Sequence, residues 1–273
     1  MSGNISSSDL LLPEEICRFL PPGQPWKFQY FPVTDSTNAA LRRLVPEEPG
    51  EFIAVLAEEQ LAGRGRLQRS WHSPPGSGIW LSVLFRPGIL PAKAQCFSLL
   101  AAVAVREALA HLDLDARIKW PNDLLCQGKK ICGILSEMQA GPERINWLII
   151  GLGLNVNTPV FPLDLRDKAT SLALAFGHNF SRPQITALIL QQLEANYLLL
   201  GREGFAPIAE KWRQGAINLG QRIRIAGLGQ ELSGIALDVD QNGYLLLEQD
   251  DGSIIRITAG DVLAIREAKD QSG

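Results

Sequence analysis

Histidine is scarce in this chain, three residues in 273, and they lie far apart as His72, His111 and His178. No HExxH run or similar pairing exists, so neither a zinc hydrolase nor a Ser-His mechanism has a basis here. The cysteines Cys17, Cys96, Cys126 and Cys132 form no CxxC pair and have no histidine at finger spacing. That excludes a metal finger and a disulfide framework, and it points to reduced thiols in a cytoplasmic protein. Positive charge is not in excess either. With 26 Lys and Arg against 29 Asp and Glu, the net charge of −3 leaves no broad surface for nucleic acid. No apolar window approaches the roughly 18 residues of a membrane span, and Met1 to Leu12 lacks a basic, then apolar, leader. Internal repeats and low-complexity blocks are absent too.

What is present reads as a soluble α+β enzyme. Residues 1–25 form an N-terminal extension, Ser-rich at first and closed by Pro21-Pro22-Gly23-Gln24-Pro25. Strands are expected over Trp26 to Phe31, Phe52 to Ala57 and Gly78 to Phe85, with Asp35, Ser36 and Thr37 capping a helix through Leu44. A long buried helix follows from Lys93 to Leu112. Short strands then flank a Pro121-Asn122-Asp123 turn, Ile131 to Met138 and Ile145 to Leu154 extend a sheet, and Pro183 opens a helix through Leu200. Beyond Gly220, short β runs are divided by Gly227 to Gly229, Asn242-Gly243 and Asp251-Gly252. They predict a small appended barrel with a type I′ turn at Asn242-Gly243.

Four segments carry chemistry. Gly63-Arg64-Gly65-Arg66-Leu67-Gln68-Arg69-Ser70-Trp71 sets guanidinium forks on a glycine-loosened backbone, with an indole at its end. Such a loop suits a phosphate or carboxylate and a stacked purine, or else it is a solvated turn beside a core tryptophan. Lys119-Trp120-Pro121-Asn122-Asp123 offers Asp123 to a magnesium ion or a ribose, or is an Asx-turn. Lys129-Lys130 enters an apolar strand and only one lysine can point inward. Alternation groups Lys130 with Cys132 and Ile134, and Lys129 with Ile131 and Gly133, unless a bulge reverses the faces. Gly151-Leu152-Gly153-Leu154-Asn155-Val156-Asn157 lacks the third glycine of a dinucleotide fingerprint and reads as a strand end.

Taken in order, Asp35 to Asn38, Glu58 to Arg66 with Trp71, Lys119 to Leu124, Lys130 to Leu135 and Gly151 to Asn157 resemble the biotin protein ligases, over roughly residues 26–268. The resemblance implies an α+β catalytic domain at 26–217, with a mixed sheet and packed helices like the class II aminoacyl-tRNA synthetases. It also implies a C-terminal SH3-like β-barrel at 218–268. The implied reaction joins biotin to ATP as biotinyl-5'-AMP and then transfers biotin to one lysine of a biotin carboxyl carrier protein. Biotin, ATP and Mg2+ are thus the expected small molecules. A lipoate or octanoate ligase of related fold, and a non-catalytic biotin or nucleotide-binding module, are the alternatives.

By the same resemblance, Arg64, Arg66, Lys130 and Asp123 are the catalytic candidates. Ser36, Thr37, Asn38, Gln60, Gly63, Gly65 and Gly133 join Arg64, Arg66 and Lys130 in binding biotin, with Gly133 leaving room for the bicyclic ring. Arg69, Trp71, Lys119, Asn122 and Asn155 join Arg64, Arg66 and Lys130 around ATP and the adenylate, with Trp71 stacked on adenine. No direct metal motif exists; magnesium is expected to arrive with ATP, with Asp123 as its one candidate ligand or as a guide for the incoming lysine. Leu67 and Ser70 lower the loop's basicity. The loop is expected to be poorly ordered without ligand, because ordering costs about 1–2 kcal/mol per residue. A winged helix-turn-helix needs three helices and does not fit in 25 residues, so no DNA binding is expected. No membrane partner is expected, and pairing into a homodimer is left open.

Overall fold

The computed structural model describes residues 9–227 and 230–266. A seven-stranded sheet has the order β1-β2-β3-β7-β6-β5-β4. Its strands are β1 (Lys27–Thr34), β2 (Ile53–Gln60), β3 (Gly78–Phe85), β4 (Arg117–Lys119), β5 (Asp123–Cys126), β6 (Lys129–Ala140) and β7 (Ile145–Asn155). Only β1 and β2 run parallel, and the other neighbours are antiparallel. The architecture is α+β, as expected, with a mixed sheet and packed helices.

Alternation on the central strands sorts the core into two faces. Ala54, Leu56, Ile79, Leu81, Ile150 and Leu152 point to one side, where they pack in the main core with the apolar residues of α3 (Ala94–Ala110) and α5 (Arg182–Glu203). Ile53, Val55, Leu84 and Ile149 point to the other, under Ala40 and Leu41 of α2 (Thr37–Leu44). The helix α2 starts where expected because the Ser36 hydroxyl accepts the Ala39 N–H at 3.1 Å. It covers only part of its face, and the uncovered remainder becomes the site.

The residues before β1 are more than a tail. Leu11 and Ile16, the latter in the short helix α1 (Pro13–Cys17), are fully buried in the main core. Arg182, itself fully buried, bonds the Asp9 carboxylate at 3.0 Å, the Asp9 carbonyl at 2.6 Å and the Glu58 carboxylate at 2.8 Å. A buried guanidinium needs such a set of acceptors, because leaving it unpaired would cost several kcal/mol.

A five-stranded antiparallel sheet follows, ordered β11-β10-β9-β8-β12. It comprises β8 (Arg222–Gly227), β9 (Gln230–Val239), β10 (Leu245–Glu248), β11 (Ile254–Ile257) and β12 (Asp261–Arg266). The remaining helices, α4 (Leu172–Phe176) and α6 (Ala206–Gly215), precede it. Residues 228 and 229, within the expected Gly227 to Gly229 turn, lie outside the described residues. The Asn242-Gly243 turn is not type I′, since only Gly243 has positive φ. The Asp240 carboxylate accepts the N–H groups of Asn242 and Tyr244, and Asp240 N–H bonds Tyr244 C=O at 2.8 Å. The loop is therefore three residues long, closed by a left-handed glycine. Trp120 Nε1 donates to Gly243 C=O at 3.4 Å and Tyr244 Oη to Ala92 C=O at 3.1 Å, which seats this sheet beside the Lys119 to Asp123 turn.

Candidate functional site

On the α2 face of β7, Ile149 fills the space beneath the helix, and the next two positions on that face are Gly151 and Gly153. Gly133 of β6 lies directly opposite Gly153 in the ladder. Three missing side chains hollow the sheet, and a cavity of about 780 Å³ opens over it. That volume is of the size that holds small molecules.

One end of the cavity is a polar cluster. Gln60 Oε1 accepts the Thr37 N–H at 2.9 Å and lies 3.2 Å from Thr37 Oγ1, while Gln60 Nε2 donates to Ser73 Oγ. The buried Ser82 hydroxyl lies 2.7 Å from Thr37 Oγ1 and 2.6 Å from Asn38 Oδ1, with one hydrogen to give between them. Asn38 Nδ2 reaches Leu135 C=O at 3.5 Å. Each polar atom is oriented by another before any ligand arrives, the arrangement that lowers the cost of binding a small polar head. Ser36, Thr37, Asn38 and Gln60 thus meet in one wall of the cavity.

The arginine loop crosses the opposite side. Gly65 N–H bonds Arg69 C=O at 2.8 Å and Trp71 N–H bonds Gly63 C=O at 2.9 Å, so the segment is a narrow hairpin with its own hydrogen bonds. These bonds, together with contacts to the C-terminal sheet, give the segment its course. Leu67 and Gln68 sit at the tip with φ of 55° and 61°, a left-handed conformation that costs side-chain-bearing residues about 1–2 kcal/mol each. Arg64 and Gly65 line the cavity, with Arg64 exposed at its rim. Gly63 does not line it: a Cβ there would stand 2.7 Å from Trp71 O and from Ser73 Oγ, so glycine is required for the neck of the hairpin.

Arg66 turns inward. Its Nη1 donates to Asn122 Oδ1 and its Nη2 to Gly260 C=O, both at 3.1 Å, and Asp261 lies 3.4 Å away. Asp261 also meets Arg69 at 2.7 Å. The indole of Trp71 lies on the glycine floor, where a Cβ on Gly153 would come within 2.3 Å of Nε1 and one on Gly133 within 2.8 Å of the ring. The room over Gly133 that was assigned to a bicyclic ring is therefore covered by Trp71 here. Trp71 Nε1 is buried with no hydrogen-bond partner among the described residues.

The lysine pair resolves through a bulge. The β5 to β6 register shifts between Leu124 and Leu125, both Ile131 and Cys132 are buried, and Lys130 falls on the face of Gly133 instead of sharing one with Cys132. Its Nζ pairs with Asp123 Oδ1 at 2.6 Å and lies 5.1 Å from the Trp71 ring centroid. Lys129 is exposed and bonds Arg166 C=O. Asn122 makes no Asx-turn: its Nδ2 donates to Ile134 C=O at 2.6 Å, leaving Oδ1 for Arg66. Lys119 also lines the cavity, and burial, against the pull of Asp123 and with repulsion from Lys130, lowers its pKa below the usual lysine value. Asn155, almost fully buried, donates to Thr170 C=O.

No three His, Cys, Asp or Glu side chains converge as a metal site among the described residues, and Asp123 is already engaged by Lys130. Ser82, His72, Phe161 and Asp261 belong to the site and were missed, and Gly151 and Gly153, within a segment read as a strand end, were given no role in it. The two glycines, spaced i and i+2 on one strand, were legible as a bare face. Asp261 carried no signal, standing 195 positions after Arg66 (261 − 66) and reaching it only through the fold.

Comparison with known proteins places these residues in a wider setting. The model of the biotin/lipoate A/B protein ligase family matches residues 30–155, and that of the biotin protein ligase C-terminal domain matches residues 219–263. The bifunctional ligase/repressor BirA of Bacillus subtilis is 40% identical over 236 residues, covering 85% of this chain and 72% of that protein. The biotin–[acetyl-CoA-carboxylase] ligase of Mycobacterium tuberculosis is 35% identical over 240 residues, 85% of this chain and 87% of the relative. Among solved structures, biotin protein ligase from Aquifex aeolicus in complex with biotin and ATP superposes with a TM-score of 0.75 at 26% identity, covering 89% and 99% of the two chains.

Proposed function

This chain belongs to the biotin protein ligase family, and we propose that its cavity binds biotin and ATP side by side, forms biotinyl-5'-AMP and passes biotin to a lysine of a carrier protein. The chain is an ATP-dependent, AMP-forming biotin ligase. One observation carries the assignment of its residues. The polar cluster of Thr37, Asn38 and Gln60, the arginine hairpin and the Lys130–Asp123 pair come from separate segments and face one cavity.

The chemistry requires that arrangement. Biotin's carboxylate must approach the α-phosphate of ATP against Coulomb repulsion, so fixed positive charge has to be aimed at both. Arg64, Arg66, Lys119 and Lys130 provide it in a cavity that partly excludes water, and removing one such donor typically slows the step by about two to three orders of magnitude. Biotin's fused polar ring sits against Ser36, Thr37, Asn38 and Gln60, with Gly65, Gly133 and the bare β7 glycines below it. Trp71 moves from the floor to stack on adenine, and Arg69, Asn122 and Asn155 border the nucleotide. Magnesium, carried with the ATP substrate, would supply charge neutralisation when bound. Asp123 holds Lys130 toward the acyl carbonyl and orients the amine of the incoming lysine.

We read the seven-stranded sheet as class II synthetase-like and the C-terminal sheet as SH3-like, in keeping with their strand orders. The partner is a biotin carboxyl carrier protein. Residues 9–25 contribute one five-residue helix, docked on the catalytic core. The test is incubation with biotin, MgATP and an apo carrier domain, followed by mass analysis. A biotin-sized gain on one lysine is expected. Acceptance of lipoate with no biotin transfer would overturn the substrate assignment.

A further inference from the structure

The contact between the arginine hairpin and the C-terminal sheet has the form of an internal substrate. Asp261 is the first residue of β12, held in register opposite Ala226, so the C-terminal sheet and not the hairpin sets its carboxylate position. The residue before it, Gly260, has φ of 142°, and a Cβ there would come within 2.5 Å of Ile225 Cγ2. That turn points the Gly260 carbonyl and the Asp261 carboxylate at the same guanidinium. Arg66 and Arg69 share this one carboxylate, while Arg66 Nη1 also donates to Asn122. A carboxylate and a phosphate oxygen compete for the same planar fork, so both arginines cannot serve Asp261 and a ligand anion at full strength together.

We propose that Asp261 is a positioning residue that latches the hairpin, its carboxylate holding Arg66 and Arg69 in place of a ligand phosphate and yielding them when biotinyl-5'-AMP forms. The exchange, which rests on the assignment of Arg66 and Arg69 to the adenylate, couples the C-terminal sheet to the opening of the cavity. Because the contact is ionic and partly exposed, salt weakens it, whereas the hairpin's backbone hydrogen bonds respond far less.

Arg64, Arg66 and Arg69 are tryptic sites, so the full chain reports on its own latch. Without ligand, Asp261→Asn should be cut in the hairpin about fivefold faster than the unaltered chain, the scale of a partly exposed ion pair. Cleavage of the unaltered chain should accelerate from 0.05 to 1 M NaCl, taken as ~15 to 3 Å of screening length, when normalised to a free peptide of the same hairpin sequence. This arm needs no variant and stands if Asp261→Asn misfolds. With biotin and MgATP both proteins should be protected, and the variant should retain the adenylate several-fold longer. Equal ligand-free cleavage of the two proteins, salt-independent cleavage of the unaltered chain, or faster adenylate loss from the variant would overturn the latch. Failure of biotin and MgATP to protect the unaltered chain would instead overturn the ligand assignment, and the exchange with it, leaving only a structural ion pair.

Discussion

The side-chain amide of Asn38 lies on the bare backbone of Gly151, where a Cβ would stand 2.3 Å from Asn38 Oδ1. The close approach lets α2 lower its first turn onto β7 and lets Ser82 hold the amide from beneath. Gly151→Ala should push Asn38 out of the polar cluster and strain the contact by about 1–3 kcal/mol. Isothermal titration should show biotin affinity falling by about tenfold or more, the worth of one well-placed hydrogen bond. Circular dichroism should show the fold retained.

Trp71 should matter to the nucleotide more than to biotin. Replacing it with alanine removes a stacking surface worth roughly 1–3 kcal/mol per base, so KM for ATP should rise by about tenfold or more. Biotin binding in the absence of ATP should be weakened far less, because the indole covers Gly133 and Gly153 instead of contributing to the polar cluster. Equal losses for the two substrates in steady-state kinetics would contradict the division of the cavity.

Lys119 is charged at a cost. Burial lowers its pKa, so the folded protein holds the proton there less tightly than the unfolded chain does. Between the lowered folded value and the unfolded value near about 10.4, the unfolded state binds more protons, and this residue's contribution to stability rises with pH. Lys119→Met should therefore raise Tm at pH 7, with the gain shrinking as pH climbs through that window. The same variant should slow adenylate formation by about a hundredfold, as expected for loss of a fixed donor. Thermal melts across pH and pyrophosphate release measure the two effects separately.

Arg182 supports the fold without facing the cavity. Its removal, as Arg182→Leu, leaves Glu58 and Asp9 without their shared cation and should cost about 3–5 kcal/mol in urea unfolding. Replacing Arg182 and Glu58 together by apolar residues should recover much of that loss. If the single variant unfolds at the same urea concentration as the parent, the buried network does not anchor the N-terminal residues.

Much of the fold was legible because the strands alternate and the caps are strong. Ser36 begins α2, Gly78 to Phe85 forms β3 with the expected limits, and two short strands lie either side of the turn at Pro121-Asn122, the second starting one residue early at Asp123. Misjudged features depended on distant or side-chain bonds. The Asn242-Gly243 turn took a three-residue form because Asp240 accepts two of its N–H groups.

The sequence alone determined the chemical inventory: which segments carry guanidinium, ammonium, amide and bare glycine, and in what order along the chain. Local rules suffice for that, since capping, alternation and turn residues act over a few positions. Tertiary structure decided which of those groups meet. A bulge after Lys130 turned that lysine, and not Lys129, toward Asp123, and the docking of the C-terminal sheet brought Asp261 to the arginines. Both outcomes depend on register and on packing between elements far apart in sequence, where a one-residue shift exchanges one face for the other.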